Sequence, residues 1–177
     1  MGQDVSPLGS LPTGASACRL VVREEERPSE SLQFVIAGLE MGQQVVVLGG
    51  AEYLKDLAVS LTQAGLRANA LLRNGRLVFL TAPECFSQLS HPDEILQRGP
   101  LRRNVSVMRW VTDWSWAYAN GTHPGSVLKY QCRVHDFVRS LTGLSLCTVH
   151  PGKLERTSLL AMLADHRRSQ RAPSRPA

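Results

Sequence analysis

An α/β fold, with a mainly parallel sheet of five or more strands covered by helices on both faces, is predicted by three patterns in this 177-residue chain. β-prone runs alternate with segments whose apolar residues recur at helical spacing. The run Val45-Val46-Val47-Leu48 has no polar interruption, as in strands buried on both sides. Glycines at positions 42, 49, 50, 65 and 143 punctuate the segments, where a chain changes direction.

Taken in order, residues 1–16 mix Gly, Pro and Ser with few large apolar groups and read as a disordered leader. Cys18 to Val22 is a first strand, stopped by Glu24, Glu25 and Glu26. From Ser31 the residues Leu32, Val35, Ile36 and Leu39 trace a helix that closes at Met41-Gly42. Val45 to Leu48 is the second strand, and Gly49-Gly50 turns into a helix carrying Leu54, Leu57, Ala58 and Leu61 that ends at Gly65. Ala68 to Leu72 is a short connection, and Asn74-Gly75 turns into the strand Arg76 to Leu80.

The stretch from Ser87 to Pro100 is polar and broken by Pro92, Gly99 and Pro100, with room for a short helix around Asp93 to Gln97. Val105 to Trp110 begin a β-rich segment that runs into Asp113, followed by a loop from Gly121 to Gly125. Val127, Tyr130, Val134, Phe137, Val138 and Leu141 mark another helix, Leu144 to Val149 a fifth strand, and Thr157 or Ser158 the cap of a last helix. The expected organisation is one domain over residues 17–166, with residues 167–177 as a disordered basic tail.

Charge and cysteines narrow the function classes. The net charge of +5 is concentrated at the C-terminus: Arg167, Arg168, Arg171 and Arg175 leave sixteen bases against fifteen acids in the rest of the chain. Nucleic acid is therefore not expected as a partner of the folded part. Cys18, Cys85, Cys132 and Cys147 are widely spaced without a CxxC pair, which predicts buried thiols and no metal site. The sequence contains no apolar run of membrane-spanning length and no secretion signal, so a cytoplasmic protein is expected, with no membrane partner.

Ligands of open parallel sheets bind beyond the carboxyl ends of the strands, and four places there carry candidate chemistry. The first, Arg23 to Ser31, is where a phosphate-binding loop would lie. It has no glycine, three glutamates and Arg27 as its candidate cation, so it reads as an exposed acidic loop capped by Ser29 or Ser31 rather than as a phosphate cradle. The second is the Gly49-Gly50 turn.

The third place is Asp113 with Ser115 and Trp116. An acid after an apolar strand can hold magnesium through water. Without a phosphate loop it is expected to order neighbouring loops or to bond an uncharged ligand. Trp110, Trp114 and Trp116 fall on one face if the strand persists, as core or as an aromatic wall. The fourth place is Arg98, Arg102, Arg103 and Arg109, a basic patch if they share a surface. No catalytic triad or GxSxG motif is present.

The stretch from Leu32 to Leu48 is similar to the helix and strand that follow the phosphate loop in RecA-like ATPases, although the loop itself is missing. Asn74-Gly75-Arg76-Leu77-Val78-Phe79-Leu80-Thr81-Ala82, Val111-Thr112-Asp113-Trp114-Ser115-Trp116-Ala117 and Leu146-Cys147 follow in the order and spacing of the MEDS sensory domain. The chain resembles that family over residues 17 to 166. It departs from it at Gln131, where a glutamate usually follows the tyrosine corresponding to Tyr130, at Val149, where a tyrosine often stands, and in a shorter segment from Ser87 to Arg103.

The resemblance implies a RecA-like three-layer sandwich without its phosphate loop and a non-catalytic sensory role. It implies a small organic ligand near Arg27, Gly49, Gly50, Asp113, Ser115, Trp116 and Tyr130, and no cofactor. Such domains are often fused to a DNA-binding domain or a kinase. With no room for either here, the expected partner is a separate regulatory protein, a kinase or a transcription factor, and a homodimer is a further expectation. Two other classes compete: a nucleotide-binding ATPase with a divergent loop centred on Arg27, and a DNA-associated regulator acting through the arginine tail.

Overall fold

The computed structural model describes residues 14, 16–20, 27–81, 107–119, 122–141 and 143–149, with single helical positions at 157, 160 and 164. Five strands lie in one sheet in the order β1-β5-β4-β2-β3: β1 (Ser16–Leu20), β2 (Gln44–Gly49), β3 (Leu77–Thr81), β4 (Met108–Asp113) and β5 (Leu144–Val149). All four neighbouring pairs are parallel. The helices are α1 (Arg27–Glu40), α2 (Ala51–Gln63), α3 (Ala68–Arg73), α4 (Ser115–Ala119) and α5 (Pro124–Ser140).

The sheet is covered on both sides because its central strands are apolar on both sides. Val45 and Val47 of β2, Val111 of β4 and Leu144 and Leu146 of β5 pack with Phe34, Val35 and Leu39 of α1 and Leu54, Leu57 and Leu61 of α2. The alternate residues Val46, Leu48, Met108, Trp110 and Cys147 pack with Val127, Tyr130, Val134 and Val138 of α5. A strand whose side chains point alternately up and down needs both layers, and burial of each such aliphatic group contributes about 1.5–3 kcal/mol.

Several local expectations are corrected. Helix α1 begins at Arg27, a turn before the periodic apolar residues, because Pro28 fixes a helical φ and its missing N–H costs nothing in a first turn. Ser29 and Ser31 therefore lie inside the helix. Ser31 is fully buried and accepts a hydrogen bond from the Tyr53 hydroxyl at 2.7 Å, so it joins α1 to α2 from within the helix. The β-rich segment does run into Asp113 as expected, and Ser115 already begins α4. Helix α5 starts at Pro124 with His123 as its cap, whose Nδ1 accepts from the Gly125 amide at 3.1 Å.

Arg109 does not join a surface patch. It is 1% exposed and lies beneath α1, with Nε donating to Gln43 Oε1 at 2.7 Å, Nη1 to the Phe34 carbonyl at 3.1 Å and Nη2 to Met41 Sδ at 3.5 Å. Its guanidinium stands 4.7 Å from the centre of the Phe34 ring, a cation–π contact. Burial lowers its pKa below the ordinary arginine value. Gly38 makes the space, since a Cβ there would stand 2.6 Å from Arg109 Cδ. The other patch residues, Arg98, Arg102 and Arg103, lie outside the described residues. So do Cys85, the Asp93–Gln97 helix, the acidic run Glu24 to Glu26 and the tail from 167.

Among the described residues, no helix is long and apolar enough to cross a membrane.

Candidate functional site

Among the described residues, the strand order shows a place where adjacent strands send their chains apart. β2 leads into α2, in the layer of α1, whereas its neighbour β4 leads through α4 into α5 in the opposite layer. Between the carboxyl ends of β2 and β4 the connections diverge, which is the crevice position that ligands of open parallel sheets usually take. Gly49 and Gly50 form one lip, and Asp113 to Trp116 form the other.

Neither glycine has a positive φ; Gly50, the N-cap of α2, has φ −67° and ψ 155°, so the need for glycine is steric. A Cβ on Gly49 would lie 2.5 Å from Tyr53 Cδ1, and one on Gly50 would lie 3.3 Å from Trp116 Cβ. Gly49 admits the Tyr53 ring against the end of β2, and Gly50 lets α2 approach α4 across the crevice. The expected turn is present, but close approach rather than turn conformation selects its residues.

On the other lip, Asp113 is 1% exposed and both carboxylate oxygens have partners within the chain. Oδ1 accepts from Thr148 Oγ1 at 3.2 Å, and Oδ2 accepts from the Ser115 hydroxyl. The Trp114 amide donates to the Thr148 carbonyl at 3.4 Å. The acid thereby fastens the exit of β4 to the end of β5. Among the described residues, no group of three His, Cys, Asp or Glu side chains could hold a metal ion.

Trp114 is fully buried behind this turn, and half-buried Trp116 packs beside it with ring centres 6.0 Å apart. Tyr130 of α5 meets Trp114 edge-on at 5.7 Å and is itself buried, so it backs the aromatic wall from the core side. Trp110 is also buried, edge-on to Phe137 at 6.3 Å. The tryptophans thus share one layer although the strand does not persist beyond Asp113 to align them. Arg27 opens α1 after the edge strand β1, which β5 separates from β4. Asp113, Ser115, Trp116, Gly49 and Gly50 come together at the crevice, with Tyr130 behind them; the side chain of Arg27 lies outside the described residues.

A polar chain that the sequence reading missed runs behind the wall. Trp114 Nε1 donates to Gln131 Oε1 at 2.8 Å, and Gln131 Nε2 lies 2.7 Å from His135 Nε2. Gln131 and His135 are both buried. Chemistry fixes the direction of the chain: an indole nitrogen can only donate, so the amide oxygen faces Trp114 and the amide nitrogen faces the imidazole. His135 Nε2 is then the acceptor and carries no proton.

The family model of the MEDS domain, described as "MEthanogen/methylotroph, DcmR Sensory domain", matches residues 17–167. The chain belongs to the MEDS family. No curated protein matches it. Members of this family are sensory domains, and the segment from Val111 to Ala117 that pointed to the family is the one that builds the second lip of the crevice.

Proposed function

We propose that this MEDS domain is a non-catalytic sensor that holds a small organic ligand in the crevice between β2 and β4 and passes its state to a separate regulatory protein, a kinase or a transcription factor. The supporting observation is the meeting of Gly50 and Trp116 across the divergence of β2 and β4. It sets a half-buried aromatic surface beside the first turn of α2. Indole offers a planar apolar face, and the first backbone amides of a helix are donors in search of acceptors. Trp116, Gly50 and Ser115 are the contact residues in this reading; Asp113 and Tyr130 support them.

We read the doubly wound sheet as RecA-like, with the connection between β1 and α1 in the position of the lost phosphate loop. That connection is rich in glutamate and free of glycine, which favours a sensor over a nucleotide hydrolase.

The test is native mass spectrometry of the purified chain for a small molecule carried through purification, repeated with Trp116→Ala. A bound organic compound in the parent chain, lost in a variant that remains folded by circular dichroism, supports the reading. Equal occupancy in the variant overturns the assigned site.

A further inference from the structure

We propose that the Gln131 amide is a reversible switch that ties protonation of His135 to the hold on Trp114 at the wall of the crevice. This deepens the sensory reading and rests on it for the meaning of the crevice, whereas the switch itself rests on the geometry of three side chains.

In the observed arrangement each donor meets an acceptor: indole N–H to amide oxygen at 2.8 Å, amide N–H to imidazole nitrogen at 2.7 Å. A proton taken from solvent onto His135 Nε2 turns that acceptor into a donor facing another donor. The amide can satisfy the imidazolium by turning over, which presents Oε1 to His135. It then presents its NH2 group to the Trp114 indole, donor against donor, and that bond is lost. Because the surroundings are apolar and buried, no bulk water replaces it cheaply. Gln131 thus has two arrangements, the observed one satisfying both Trp114 and a neutral His135 and the turned one satisfying a protonated His135 alone, and the charge on His135 selects between them.

Among the described residues, the layer around this chain supplies few other ionisable groups. Helix α5 packs on β4 and β5. Among the described residues, β5 contributes the Cys147 thiol and α5 contributes Tyr130, Cys132 and Arg133. β4 presents Met108, Trp110 and Thr112 on this side, and β2 and β3 present Val46, Leu48 and Val78. Asp136 and Arg139 of α5 are exposed.

Trp114 is the hinge between this chain and the crevice. Its ring lies 6.0 Å from that of Trp116 and its backbone amide is pinned to Thr148. Releasing the indole while the backbone stays fixed changes the surface against which Trp116 rests.

The experiment is a pH titration of the full chain followed by the indole and imidazole resonances in 15N-labelled protein, between about pH 5 and 8, where histidine changes charge. The expected result is that the Trp114 indole shifts along the same curve as the His135 ring. The Trp110 indole, bonded to Thr112 Oγ1 at 3.0 Å, stays constant. In His135→Gln, whose amide oxygen accepts from Gln131 at every pH, the Trp114 shift disappears. In Gln131→Leu it disappears while His135 still titrates.

A Trp114 signal that stays flat while His135 titrates, one that still shifts in His135→Gln, or a His135 that remains neutral until the protein unfolds in acid overturns the switch. No ligand enters this titration, so the switch can stand with an empty crevice, and the crevice can bind with no switch behind it.

Discussion

Thr148 and Asp113 join the ends of two neighbouring strands: the threonine hydroxyl donates to the carboxylate at 3.2 Å, and the two residues are register partners in β5 and β4. Ser115 takes the second oxygen. With both oxygens engaged inside the chain, the carboxylate is a fastener of the crevice.

Asp113→Ala is accordingly expected to cost stability, because it removes the carboxylate that two buried hydroxyls share and leaves Thr148 Oγ1 the longer contact to the Thr112 carbonyl at 3.5 Å, a loss of about 1–3 kcal/mol. Urea denaturation measures it. Trp116→Ala, at a half-buried position, should cost less, so it is the cleaner probe of binding. A loss below roughly 0.5 kcal/mol for Asp113→Ala, the range of an unremarkable surface change, would contradict the fastening role.

Gly49 and Gly50 should respond differently to a methyl group. Gly49→Ala drives a Cβ to 2.5 Å from the Tyr53 ring and is expected to destabilise by about 1–3 kcal/mol, as overpacked sites do. Gly50→Ala meets Trp116 at 3.3 Å, with a backbone conformation open to alanine, and should cost less than about 1 kcal/mol while narrowing the crevice. Equal effects on the thermal midpoint would argue against close approach as the reason for both glycines.

Gly38→Ala tests the buried arginine. Its methyl would meet Arg109 Cδ at 2.6 Å and Val45 Cγ2 at 2.9 Å, and a guanidinium bonded to Gln43 and Phe34 cannot step aside without losing those bonds. A loss of about 1–3 kcal/mol is expected. In a double-mutant cycle with Arg109→Met the two losses should fall short of additive. Additivity would mean that Gly38 is chosen for some other contact.

Magnesium ATP should leave the thermal midpoint unchanged at millimolar concentration. A nucleotide present at a hundredfold excess over its dissociation constant would stabilise the chain by about 2.7 kcal/mol, a shift that differential scanning calorimetry detects easily. Such a shift would restore the ATPase reading.

The α/β class, the strand sequence and the position of Asp113 were legible because each rests on a local pattern: apolar runs, glycine breaks, an acid closing a run. The buried polar residues were harder. Arg109 was read as a surface base, yet it stands between Met108 and Trp110 in a strand covered on both faces, where every position must be buried on one side or the other. Gln131 and His135 are spaced four apart beside Val127, Tyr130, Val134 and Val138, so helical spacing alone could have put them on the inner face. The pairing of Tyr53 with Ser31 joins residues twenty-two apart on two helices, and no local pattern encodes it.

β4 carries opposite cargo on alternate positions: Trp110 to the layer of α5, Arg109 to the layer of α1. One residue inserted within it would exchange the two, thrusting a cation among the tryptophans and an indole beneath Gly38, and would turn Asp113 away from Thr148 as well. Variation in length among natural versions of this domain should therefore collect in the connections and spare this strand.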